Sequence, residues 1–194
     1  MNKYTDRYKI VLLGASGVGK SSISLRYVRN DYSQDNESTI GAAFLTMPID
    51  FGDKKICLEI WDTAGQERYN SLAPMYYRGS SAAIIVYDIT CPDSLILAKR
   101  WIKEIQSTLN DCFIILVGNK LDIEHLRQVS YGEANEYAYE QNITYIETSA
   151  KSSHNVNKLF DIILKNLPIS KNINNDESIT QINPIKIKKS CACN

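Results

Sequence analysis

Short apolar runs alternate along this chain with segments whose apolar residues recur at helical spacing. Tyr8-Lys9-Ile10-Val11-Leu12-Leu13 reads as a strand, and Ile23, Leu25, Tyr27 and Val28 suit a helix after it. Ala43 to Ile49 and Ile56 to Trp61 flank Asp50-Phe51-Gly52-Asp53-Lys54-Lys55, whose Gly and Asp residues predict a hairpin turn and an antiparallel pair. Ala82 to Asp88 and Phe113 to Gly118 are almost wholly apolar, the mark of strands buried on both faces of a parallel sheet. A last strand fits Thr144 to Thr148. Helical spacing covers Pro92 to Asn110, through Leu95, Ala98, Trp101, Ile102 and Ile105, and then Ser130 to Gln141 and Asn155 to Leu167. The alternation predicts an α/β fold: six strands, mostly parallel with one antiparallel edge strand, helices on both faces, and ligands at the strands' C-terminal ends. The pattern occupies residues 8–167. It leaves an N-terminal extension, 1–7, and a polar Asn, Ser and Lys stretch, 168–194, that reads as a flexible tail.

Bulk composition narrows the class without naming a chemistry. The 194 residues suffice for one domain with a substantial core, and 44% hydrophobic with 23% charged residues is ordinary for a soluble globular protein. A formal net charge of zero gives no support for nucleic-acid binding. Cys57, Cys91 and Cys112 are scattered through the body without metal-ligand spacing, which suits reduced thiols in a cytosolic compartment. The sequence opens with no leader pattern, carries Asn2 where myristoylation needs glycine, and holds no apolar run near the roughly 20 residues that span a bilayer.

Chemistry enters at Gly14-Ala15-Ser16-Gly17-Val18-Gly19-Lys20-Ser21, a complete G-x-x-x-x-G-K-[ST] phosphate loop where a strand hands over to a helix. Its glycines let successive backbone N–H groups face phosphate oxygens; Lys20 brings positive charge, Ser21 an oxygen for Mg²⁺, and Ser22 completes the segment. Such a loop does not choose between ATP and GTP. Asn119-Lys120-Leu121-Asp122 does, because a carboxylate at Asp122 can accept from both N1–H and N2–H₂ of guanine, a donor pair that adenine lacks. Glu147-Thr148-Ser149-Ala150-Lys151 ends the last strand, where a backbone N–H can meet guanine O6. Trp61-Asp62-Thr63-Ala64-Gly65-Gln66-Glu67 ends the third, with Asp62 placed to hold Mg²⁺ through a water and Gly65 to let the backbone approach a γ-phosphate.

These elements together resemble the Ras superfamily of small GTPases, and within it the Rab family. Ser38-Thr39-Ile40-Gly41, Trp61 to Tyr69, Tyr76-Tyr77-Arg78-Gly79 and Tyr87-Asp88-Ile89-Thr90 are similar to Rab segments. Gly41 to Thr46 and Ser71 to Tyr77 resemble the early-endosomal subgroup. The resemblance implies a Ras-like phosphate-loop GTPase domain and a GTP-binding, GTP-hydrolysing switch in vesicle trafficking, most closely early-endosome tethering and fusion. It also implies Thr39 as a switch residue, with its hydroxyl on Mg²⁺ beside Ser21 and its N–H on the γ-phosphate. Tyr32 and Lys120 would flank the base, Ser33 and Gln34 would lie near the ribose, and Gln66 would orient the attacking water. Lys20, Thr39 and Gln66 are then the catalytic residues. No arginine stands in an obvious finger position in cis, so turnover should be slow until an activating protein supplies one, a gain of about 10³ to 10⁵. Serine at Ser16, glycine in Ras itself, is normal in Rabs. Ile40, Phe44, Trp61 and Tyr76 match the surface that presents nucleotide state to helical effectors.

The chain ends Lys186-Ile187-Lys188-Lys189-Ser190-Cys191-Ala192-Cys193-Asn194, a basic stretch followed by two cysteines. The pattern looks like a double prenylation site at Cys191 and Cys193, and also fits a loose C-a-a-X reading with Cys191 alone. Implied partners are GTP and GDP, an exchange factor, an activating protein, effectors, and the escort and dissociation-inhibitor proteins of prenylated GTPases. The implied location is the cytoplasmic face of endosomal membranes, cycling with cytosol. Other readings stay open: a phosphate-loop ATPase or nucleotide kinase, against which Asn119, Asp122 and Ser149 argue; a scaffold that holds GTP without hydrolysing it, against which Gln66 and Thr39 argue; and a Rab acting at the plasma membrane or another endocytic step.

Overall fold

The computed structural model describes residues 6–33, 39–52, 54–65 and 72–169. Six strands form one sheet in the order β2-β3-β1-β4-β5-β6: β1 (Asp6–Leu13), β2 (Ala42–Phe51), β3 (Lys54–Thr63), β4 (Ala82–Asp88), β5 (Phe113–Asn119) and β6 (Thr144–Glu147). Only the β2–β3 hairpin is antiparallel, with Phe44 opposite Trp61; every other pairing is parallel. This is the sheet that the apolar runs predict. Every residue of β4 is buried, as an unbroken apolar run between two parallel neighbours requires.

Side chains alternate between two cores. On one face Ile10, Leu12, Ile84, Val86, Ile115 and Val117 pack with Ile23 of α1 (Lys20–Arg29) and with Leu159, Phe160 and Ile163 of α5 (Val156–Asn166). On the other, Val11, Leu13, Ile85, Tyr87 and Leu116 meet α3 (Pro92–Thr108) and α4 (Tyr131–Glu140) through Leu95, Ala98, Trp101, Ala134 and Ala138. Each large apolar side chain so buried contributes about 1.5–3 kcal/mol relative to exposure, which pins the sheet between its helix layers. The helix starts carry local signals. Pro92 occupies the first turn of α3, and Ser130 caps α4 by accepting from the Glu133 N–H at 3.1 Å.

Short helical segments lack a period long enough to read from sequence: α2 (Ala73–Tyr77) and a pair of 3₁₀ turns over Leu121–Leu126 that break at Ile123. At the ends of the domain, β1 begins at Asp6. Beyond α5, Pro168 accepts a hydrogen bond from Tyr8 Oη at 3.3 Å and Ile169 is buried, so both residues belong to the packed body. No helix among the described residues is long and apolar enough to cross a membrane.

Candidate functional site

All parallel strands deliver their C-terminal ends to one edge of the sheet, and the turns leaving them enclose a cleft of about 410 Å³. Ser16, Gly17, Gly19, Lys20, Ser21 and Ser22 line one end. Asn119, Lys120, Asp122, Ala150 and Lys151 line the other, with Tyr32, Ser33, Thr39 and Gly65 along the rim. Thr63, inside the Trp61 to Glu67 segment but given no role there, and Ile123, one residue past Asp122, line it as well. Val18 and Ser149 do not line the cleft; both are buried behind it. Gln34, Gln66, Cys191 and Cys193 lie outside the described residues.

At the phosphate end, Gly19 has φ +96°, and a Cβ there would overlap Asn119 Nδ2, so only glycine suits the position. α1 starts one residue later, its first intrahelical bond running from the Ile23 N–H to the Gly19 carbonyl at 2.9 Å. Lys20 Nζ donates to the carbonyls of Gly14 at 3.0 Å and Ala15 at 2.8 Å. The ammonium is buried, and burial brings its pKa down to about 8 against the opposing pull of Asp62. Gly65 meets the same loop: a Cβ on it would collide with the Ala15 carbonyl and stand 2.5 Å from Lys20 Nζ.

Ser21 Oγ and Thr39 Oγ1 lie 2.8 Å apart. Behind them Asp62 is 2% exposed, its pKa raised by burial although the Ser21 hydroxyl, the Lys20 charge and the Thr39 hydroxyl act against the rise. Among the described residues, Asp62 Oδ1 has no hydrogen-bond partner. A buried carboxylate oxygen left unpaired is costly, and two hydroxyls with one carboxylate form an all-oxygen donor set. That set fits Mg²⁺, which keeps its remaining positions for water and phosphate oxygens.

The base end is tied together by protein groups. Asn119 Nδ2 donates to the Val18 carbonyl at 2.8 Å; Asn119 Oδ1 accepts from Thr148 Oγ1 at 3.1 Å and from the Ala150 N–H at 3.3 Å. One side chain thus joins the phosphate loop to the turns after β5 and β6. Ser149 Oγ donates to Asp122 Oδ1 at 2.5 Å, which fixes the carboxylate assigned to guanine. Lys120, at φ +72°, places Nζ 2.7 Å from Asp88 Oδ2. Burial alone would raise the Asp88 pKa, but Lys120 and the Thr90 N–H and hydroxyl together hold it below the ordinary carboxylate value. Beneath the last turn, Arg127 grips Glu147 through Nη1 at 2.7 Å and Nη2 at 2.8 Å. Tyr145 Oη donates to Glu147 Oε1 at 2.7 Å and lies 2.7 Å from Tyr87 Oη.

Sequence reasoning missed Asp88, Arg127 and Arg26, whose contacts reach across 32, 20 and more than 120 positions and leave no local trace. Tyr145 is the member with a signal: a phenol in a strand otherwise bound for a buried sheet implies a partner.

The residues assigned to effectors also come together. Phe44 and Trp61 pack edge to face at 5.2 Å between centroids, and Tyr76 of α2 lies 6.2 Å from Trp61. Phe44 is half exposed; Ile40, beside Thr39, is 82% exposed.

A nucleotide-sized cleft with a phosphate loop at one end and a buttressed carboxylate at the other describes a guanine-nucleotide switch. The family model described as Ras family matches residues 9–169, and the chain belongs to that family. It is a small GTPase. Members bind guanine nucleotide, hydrolyse GTP, and are governed by exchange factors and activating proteins.

Proposed function

We propose that this small GTPase is a Rab-type switch that hydrolyses GTP with Mg²⁺ and recruits helical effectors at the early endosome. One observation carries the switch reading: Thr39 touches Ser21 and Gly65 touches Ala15, so the described ends of both switch segments meet on the phosphate loop. Contacts to a γ-phosphate at that junction exist only with GTP, and such differential contacts are what shift a conformational equilibrium.

In hydrolysis a water attacks the γ-phosphorus, the bond to the bridging oxygen breaks, and GDP leaves with the electron pair. Lys20 neutralises charge growing on the β- and γ-oxygens, and Thr39 holds the γ-phosphate through its N–H. Mg²⁺, when bound, supplies further neutralisation there, and Ser21, Thr39 and Asp62 are the residues that would hold it. Gln66 orients the water, a role that rests on its sequence position. The Phe44–Trp61–Tyr76 cluster with exposed Ile40 supports effector recognition. The Gly41 to Thr46 and Ser71 to Tyr77 segments support the early-endosomal assignment. Cys191 and Cys193, with the basic stretch before them, support a lipid anchor on the cytoplasmic face of that membrane, with escort and dissociation-inhibitor proteins as soluble partners.

The test loads purified protein with GTP and Mg²⁺ and follows phosphate release in a single turnover, with Gln66→Leu alongside. Slow release that the substitution suppresses is the expected result. Tight GTP binding with no release from either protein would replace the hydrolysing switch by a binding scaffold, and a tagged copy that never meets early-endosomal markers would overturn the location.

A further inference from the structure

Arg26 lies on α1, outside every nucleotide motif, yet its guanidinium reaches two separate parts of the cleft wall and the C-cap of its own helix. Nε donates to the Ala150 carbonyl at 2.9 Å and Nη2 to the Lys151 carbonyl at 3.2 Å, gripping the turn that lines the base end of the cleft. Nη1 donates to the carbonyl of Asn30 at 3.0 Å and to its Oδ1 at 3.3 Å, at the left-handed C-cap where the chain leaves α1. Its Cζ stands 5.8 Å from the centroid of the Tyr32 ring, within cation–π range. Tyr32, Ala150 and Lys151 line the cleft; Arg26 does not. The helix that carries it is packed on α5, where the next residue, Tyr27, stacks on Phe160 at 3.6 Å and 7° between planes.

We propose that Arg26 is a positioning residue that sets how long guanine nucleotide stays bound, by locking the 150–151 turn and Tyr32 to α1 as one unit. A planar fork with donors along two edges suits this task. It can serve two successive carbonyls and a helix cap while its charge stands over a ring, which a lysine ammonium cannot do at once. Nucleotide departure requires the base turn and Tyr32 to move apart. With Arg26 in place, moving either breaks a contact to the same group, so the two barriers are coupled.

This inference rests on reading the cleft as a guanine-nucleotide site, and the experiment separates the two. The full chain is loaded with a fluorescent GDP analogue in Mg²⁺, and its dissociation is followed after a chase of excess GDP, for wild type, Arg26→Met, Arg26→Lys, Tyr32→Leu and the Arg26→Met/Tyr32→Leu double variant. Arg26→Met keeps the aliphatic stem and is expected to raise the dissociation rate about tenfold through loss of charge-assisted hydrogen bonds. Arg26→Lys restores part of the loss. The double variant falls short of the product of the single effects, because both break one unit. Rates within twofold of wild type for Arg26→Met would overturn the inference, as would multiplicative effects with no rescue by lysine. Should Arg26→Met fail to fold, the Arg26→Lys rate decides alone, and a wild-type value there overturns it. A wild-type protein that retains no GDP brings down the guanine reading and this inference together.

Discussion

The two ends of the cleft are built on opposite terms. At the base end the polar groups hold one another: Asn119 with Val18, Thr148 and Ala150; Asp122 with Ser149; Lys120 with Asp88. At the phosphate end, Lys20 is buried against carbonyls with its proton weakened, and Asp62 Oδ1 has no partner among the described residues. The base end is preorganised by the protein, so specificity is fixed before a ligand arrives. The phosphate end holds charges that an anion and a divalent cation would compensate, so its stability belongs to the complex.

That contrast breaks most visibly in the pH dependence of the nucleotide-free protein. The folded-state pKa of Lys20, about 8, lies below its unfolded value of 10.5. Between those values the unfolded chain carries more protons, so stability rises with pH across that window; below pH 8 the buried ammonium counts in full against the fold. The gain is on the order of 3 kcal/mol as an upper limit. It is measured as the difference between chemical denaturation of wild type and of Lys20→Met from pH 7 to 10, which cancels the tyrosines. Saturating GDP and Mg²⁺ should flatten it, and a flat difference without ligand would place the lysine in water.

Asp62 gives a change of two signs. Asp62→Asn should weaken Mg²⁺-dependent retention of GDP about 10–100-fold, the usual cost of disturbing a group that orients a metal's water. At pH 9, where Lys20 is mostly neutral, the same substitution in nucleotide-free protein should raise stability by about 1–3 kcal/mol, since it removes a buried carboxylate with an unpaired oxygen. Magnesium titration and thermal melts read the two effects, and loss of both would mean that the carboxylate is simply structural.

The base end supplies the smallest effect. Ser149→Ala removes one hydrogen bond to an exposed carboxylate and should weaken GDP binding by about 1 kcal/mol, to the same extent with Mg²⁺ or with a chelator. A Mg²⁺-dependent loss would show that the two ends are not separable in this way.

The long apolar runs make the parallel strands legible in the sequence, because burial on both faces leaves an unmistakable composition. The phosphate loop and the Asn119 and Ser149 segments are legible because each works through residues adjacent in the chain. What stays hidden acts across the fold. Arg26 meets Ala150 only after α1 and the last turn are packed together, and Lys120 meets Asp88 only because β4 and β5 are neighbours. The helix at Ala73–Tyr77 is too short for a period to show, and only its early proline marks a start.

Asn119 gives the cleft a property that neither end has alone. Its amide joins the loop under the phosphates to the turn under the base, so the distance between the two is held by one side chain. A guanine nucleotide therefore meets a span between base and phosphates that one amide has already set, and a ligand whose two ends stand nearer or farther apart cannot use both.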